Sequence, residues 1–181
     1  MSLHYHLAVE LELAGDLDPA DLDTVRWLFG LTDTRPPVAP VTDPLVQPEH
    51  TDTDGWWRAP GGAWARLVHG RRPAPAGSTQ VGWSVAARDV LLDDHFYADA
   101  PAVLGRLATR SSTQGLIATA REEMDLLPSW LFYAFAGQAY LLHEGELVPY
   151  EGELLPSEDA RPAPRHVRSE LDRLSGRNNA T

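Results

Sequence analysis

Leu3-His4-Tyr5-His6-Leu7-Ala8-Val9-Glu10-Leu11-Glu12-Leu13 alternates without a break. Leu3, Tyr5, Leu7, Val9, Leu11 and Leu13 hold one set of positions; His4, His6, Ala8, Glu10 and Glu12 hold the other. Successive side chains of a strand point to opposite faces, so a period of two predicts a strand with one buried and one more polar face. Everything downstream has to supply a cover for the apolar side.

A helix is expected directly after it. Asp18 is placed to cap, Pro19 suits the first helical position, and Asp21 puts negative charge near the positive end of the helix dipole. Leu22, Val25, Leu28 and Phe29 recur at helical spacing, and Gly30 is a natural stop. Residues 31–62 then break the pattern with Pro36, Pro37, Pro40, Pro44, Pro48 and Pro60. Each proline removes a backbone donor and restricts its neighbour, which predicts a long loop. Loops of that length in a compact domain tend to carry function or to be disordered.

Ala63–His69 and Val81–Arg88 read as two strands of a hairpin with a long, turn-rich connection over 70–80. Val81, Trp83, Val85 and Ala87 share one face of the second, opposite Gly82, Ser84, Ala86 and Arg88. A second helix is expected from Asp99 to about Arg110, with Pro101 in its first turn and Val103, Leu104 and Leu107 buried. Asp93 to Tyr97 read as the turn before it. Leu116–Glu122, Leu131–Phe135, Ala139–His143 and Glu146–Tyr150 form a meander, with turns at Gly137-Gln138 and Glu144-Gly145. The last of these strands is a candidate sheet edge.

The order β-α-β-β-α-β-β-β predicts an α+β fold. Its sheet is mainly antiparallel, with two helices on one face, ferredoxin-like with extra C-terminal strands. Residues 1–150 are expected to form one domain containing the proline-rich loop. Residues 151–181 read as a polar tail with a short helix at 166–174, lacking a strong apolar face and so expected to be mobile or weakly docked.

Composition narrows the function. The 181 residues carry 26 acidic and 15 basic side chains, a net charge of -11. Residues 1–156 alone hold 22 acids against 10 bases. That balance argues against nucleic acid or an anionic membrane as partner, because phosphate neutralisation requires a basic footprint. It suits solubility and steering toward a basic protein. There is no Cys, which excludes thiol catalysis, disulfides and thiolate metal sites. Every basic residue is Arg, so lysine Schiff-base and P-loop lysine chemistry is excluded. The Arg, Ala, Pro and Gly bias reads as that of a GC-rich bacterial genome. No apolar run is long enough for a membrane helix, and Met1 to His6 lack the basic and apolar regions of a signal peptide, so the cytoplasm is the expected location.

His4 and His6 are the candidate metal ligands. Two apart on a strand, both imidazoles leave the same face, and zinc suits nitrogen and oxygen donors. Glu10, His69 or the Asp93-Asp94-His95 stretch could complete the set, although no spacing fixes a third ligand. Two solvated histidines on a polar face are the simpler account. Thr51-Asp52-Thr53-Asp54-Gly55 resembles half of a calcium loop, but His50 and Gly61 stand where its strongest carboxylates belong. Asp93-Asp94-His95 and Glu122-Glu123 are acid–base candidates by residue type alone, and the second pair points to opposite faces if on a strand. No nucleophile elbow and no glycine-rich phosphate loop is present. No catalytic residue is therefore assigned.

Trp56, Trp57 and Trp64 cluster at the end of the long loop and are the candidate binding residues. Aromatics there serve to line a ligand pocket or anchor an interface. The reading that follows is a non-enzymatic, accessory or immunity-type protein that binds another protein, with an isologous homodimer through a sheet face or edge compatible. The alternatives are a metal-dependent hydrolase built on His4 and His6, and a small-molecule binder roofed by residues 31–62.

Overall fold

In the computed structural model, residues 3–46, 63–73, 79–143, 145–150 and 162–174 are described. The opening alternation becomes β1 (His4–Ala14), whose odd residues Tyr5 to Leu13 are at most 2% exposed. Ten elements follow one another: β1, α1 (Pro19–Leu28), β2 (Trp64–Pro73), β3 (Thr79–Leu92), α2 (Asp93–Arg110), β4 (Gly115–Glu122), β5 (Trp130–Phe135), β6 (Gln138–His143), β7 (Glu146–Tyr150) and α3 (Arg165–Leu174). The seven strands form one sheet in the order β2-β3-β1-β4-β5-β6-β7, and each neighbouring pair is antiparallel. The fold is α+β.

β1 lies inside the sheet, between β3 and β4, where its apolar face is buried. It pairs along its whole length with β3, from His4 opposite Leu92 to Ala14 opposite Gly82, and with β4 from Tyr5 to Val9. That length explains why β3 runs four residues past Arg88: the partner strand supplies donors and acceptors all the way to His4. β7 is an edge, as expected from the sequence.

α1 is capped as its sequence predicts, with the Asp18 carboxylate accepting from the Asp21 amide at 2.8 Å. Gly30 takes φ 61° just beyond it. The segment after Gly30 does not stay off the core: Val41, Leu45 and Val46 are buried, and the Val46 amide donates to the Leu28 carbonyl. Residues 47–62 of the expected loop, with Trp56 and Trp57, lie outside the described residues.

α2 starts six residues earlier than the proline at 101 implies. Asp93 to Tyr97 form its first turns, and Pro101 sits inside the helix. Proline there removes one helix hydrogen bond, normally a substantial cost. The offset is visible in the packing. Phe96 is fully buried and stacks on Tyr5 with ring centroids 4.3 Å apart, extending the stripe of Ala100, Val103, Leu104 and Leu107 by a turn. Asp93 and Asp94 fall at the positive end of the helix dipole.

A short helix is expected over 166–174 and α3 forms there, but its placement differs from expectation. Among the described residues there are three helices, and α3 packs on the side of the sheet opposite α1 and α2. Val167 and Leu171, one helical turn apart, are buried against Tyr133, Tyr140 and Leu147. Two apolar residues at that spacing make a narrow stripe that a count of charged neighbours conceals. The β5–β6 turn is centred on Ala136-Gly137, one residue earlier than Gly137-Gln138; both have positive φ, 51° and 76°. The Ala136 amide is held by the Gln114 side chain at 2.9 Å.

Candidate functional site

Because side chains alternate, each strand of the sheet contributes to two surfaces. On one surface the odd residues of β1 meet α1 and α2 and the chain around Leu45. On the other, α3 covers β5, β6 and β7, and no other element among the described residues covers the half built from β2, β3, β1 and β4. The strand register lays out that uncovered half in rows. Trp64, Arg88, Ala8 and Thr119 are level with one another, as are Arg66, Ala86 and Glu10, and Val68, Ser84 and Glu12.

The floor is made of short side chains, Ala8, Ser84 and Ala86, while Trp64 and Leu116 stand at opposite sides. The result is a groove of about 500 Å³. Trp64 is 40% exposed, with the Arg88 guanidinium 5.9 Å from its ring centre. Both Glu12 carboxylate oxygens accept from the Ser84 hydroxyl, at 2.8 and 2.9 Å, and the Glu12 amide donates to Thr113 Oγ1. These bonds orient Glu12, while Glu10 beside it remains exposed.

Toward the start of β1 the same surface becomes more apolar. Val90 and Leu92 are exposed opposite His6 and His4. The β4–β5 loop lies at this end, tied to β1 by the Glu123 amide donating to the His4 carbonyl. Arg121 holds the loop by donating to the carbonyls of Glu123 and Asp125. Met124, Leu126 and Leu127 are turned outward, 83%, 95% and 77% exposed. Three neighbouring large apolar side chains in water are far beyond the scattered single exposures of an ordinary surface.

His4 and His6 do share the even face of β1. His4 Nδ1 lies 3.3 Å from the Glu123 carboxylate, an ion pair when the imidazole is protonated. Among the described residues no group of three or more His, Asp or Glu side chains is gathered so as to hold a metal ion. Asp93-Asp94-His95 is not brought together as a unit either. His95 instead meets Asp99 one turn along α2, with Nε2 3.3 Å from Oδ2 but lacking a well-directed hydrogen bond. Burial raises the Asp99 carboxyl above its ordinary value, Asp43 raises it further, and His95 acts against both. Glu122 ends β4 and Glu123 lies beyond it, so that pair does not converge.

A second cavity, of about 540 Å³, lies between α1 and residues 32–38, with Arg106 of α2 on its wall. Of the three tryptophans singled out by sequence, Trp64 reaches the sheet groove. Sequence reasoning missed Arg88, Ser84 and Leu116 as groove residues. The signal was present for the first two, since they share the even phase of β3 with Ala86. Leu116 is set by a β-bulge between Leu116 and Ala118, which shifts the phase of β4 and leaves no mark in the residue pattern.

Compared with known proteins, the chain matches no protein family, no curated protein and no solved structure.

Proposed function

We propose that this chain is a non-enzymatic protein-binding module whose docking surface is the uncovered half of its sheet. The observation that carries the reading is the unequal cover of that face: α3 shields β5–β7, and Trp64, Val90, Leu92 and Leu116 are left exposed beside it. The exposed loop of Met124, Leu126 and Leu127 extends the apolar surface at the His4 end. Apolar area is the main source of association free energy, and aromatic and arginine side chains such as Trp64 and Arg88 are the residue types that dominate interfaces.

The occupant that fits is an amphipathic helix of a partner protein, lying beside α3 in the same layer. The small floor of Ala8, Ser84 and Ala86 leaves room for its apolar stripe, and α3 packs on the neighbouring half of the same face. The charges along the groove are mixed. Glu10 and Glu12 on the central strand would face basic residues, and Arg66, Arg88 and Arg121 on the flanking strands would face acidic ones. The fold supports a ferredoxin-like plan for β1-α1-β2-β3-α2-β4, with strand order β2-β3-β1-β4, to which β5–β7 and α3 are added.

Capture of partners from lysate of the producing organism, with wild type and Ala8→Arg side by side, tests the reading. Arginine at Ala8 fills the floor, so a partner held by wild type and lost by the variant is the expected result. Sedimentation of both proteins shows whether the occupant is instead a second copy. An identical set of captured proteins from wild type and variant overturns the proposal.

A further inference from the structure

We infer that the cavity between α1 and residues 32–38 is a binding site for a small organic anion, a carboxylate or phosphate monoester with an apolar body. It is separate from the sheet groove, since α1 lies on the opposite side of the sheet.

The first argument is charge. In a chain of net charge -11, this corner holds the guanidinium groups of Arg26, Arg35 and Arg106, with Arg110 behind them. Among the described residues two carboxylates answer them. Asp23 pairs with Arg26 at 3.2 Å, and Asp21, 13% exposed, is shared by Arg106 at 3.5 Å and Arg110 at 3.0 Å. Arg35 has no carboxylate partner among the described residues. Its guanidinium donates to the Val41 carbonyl at 3.1 Å and lies 5.6 Å from the Trp27 ring centre. Those contacts fix the planar group in place and leave its charge unanswered, the state in which a guanidinium fork recognises a carboxylate or phosphate.

The second argument is shape and polarity. Pro36, Pro37 and Val38 form an apolar wall, and Val38 is 70% exposed although it faces a cavity large enough for a ligand. A volume of about 540 Å³ lies within the range of small-molecule sites, which combine apolar walls with a few placed polar groups. Proline stiffens the wall, so little ordering is lost when a ligand enters. The head group would sit at Arg35 and Arg106, and the body against the proline wall.

Calorimetric titration of the full chain with 3-phenylpropionate, phenyl phosphate and the neutral 3-phenylpropionamide tests this. The expected result is binding of one or both anions, at least about tenfold tighter than the amide, because the charge-assisted bonds are lost with the charge. Whichever anion binds more tightly identifies the head group. Arg35→Gln should weaken the anion about tenfold or more. Because Arg35 also touches Val41 and Trp27, a second variant, Val38→Asp, places a carboxylate at the exposed wall and should weaken anions while leaving the melting temperature unchanged. Equal affinity for anion and amide, absence of anion binding at about 10 mM (a free energy weaker than about 3 kcal/mol), or a Val38→Asp protein that binds like wild type overturns the inference.

Discussion

The two helices that pack on opposite faces of the sheet, α2 and α3, differ in how they hold on. α2 is 18 residues long and buries Phe96, Ala100, Val103, Leu104 and Leu107 against β1 and its neighbours. α3 is 10 residues long and buries Val167 and Leu171 over one half of the other face. The first closes a core; the second covers half of its face, and among the described residues the other half stays open. Burial scales with apolar area, so the two faces should differ in what a lost side chain costs and in whether the loss spreads.

Truncating α2 should have the largest effect. Leu104→Ala removes a fully buried side chain from the centre of the main core and should cost about 2–5 kcal/mol, read from chemical denaturation. Leu171→Ala should cost less, about 2 kcal/mol, and should act locally. Amide exchange would then accelerate in α3 while β1 and α2 stay protected. Equal global destabilisation by both variants would mean that the two faces unfold as one unit, and the contrast drawn above would be lost.

A smaller effect distinguishes the polar groups of the covered side. Asp99 lies on α2, and burial raises its carboxyl above the ordinary aspartate value of 3.8. A folded state that holds a proton more tightly than the unfolded chain loses stability as pH rises from the unfolded value through the raised one. Wild type should therefore lose stability relative to Asp99→Asn as pH rises above about 4. A stability difference independent of pH between 3 and 7, in ordinary aspartate range and above, would contradict it. Smallest of all should be Ala8→Arg on the open half, within about 0.5 kcal/mol of wild type because the site is exposed. The same substitution should have the largest effect on partner capture. Stability and binding are thus predicted to depend on opposite faces of one strand.

Much of this arrangement was legible in the residues of β1. Strict alternation from Leu3 to Leu13 is a direct statement of which side chains share a face, and the buried odd face is the one the pattern predicts. Asp18, Pro19 and Gly30 marked the ends of α1 because caps act on adjacent backbone groups, within reach of a local reading. The start of α2 was not legible in the same way. Pro101 favours a helix beginning near it, and only the stacking of Phe96 on Tyr5, 91 positions apart in the chain, explains the earlier start. Val167 and Leu171 were too few to announce a docking face until Tyr133, Tyr140 and Leu147 supplied the other side of the contact.

The candidate sites divide along the same line. Trp64 was singled out by residue type and lies in the sheet groove, and His4 with His6 share the face that alternation assigns them. Local sequence therefore determined composition, charge, the phase of each strand and the caps, since these depend on residues a few positions apart. The strand order, the side taken by α3 and the level rows of Trp64, Arg88, Ala8 and Thr119 depend on contacts between distant segments. So does the placing of Arg35 and Arg106 on the wall of one cavity. Periodicity says which way a side chain points; only packing says what it points at.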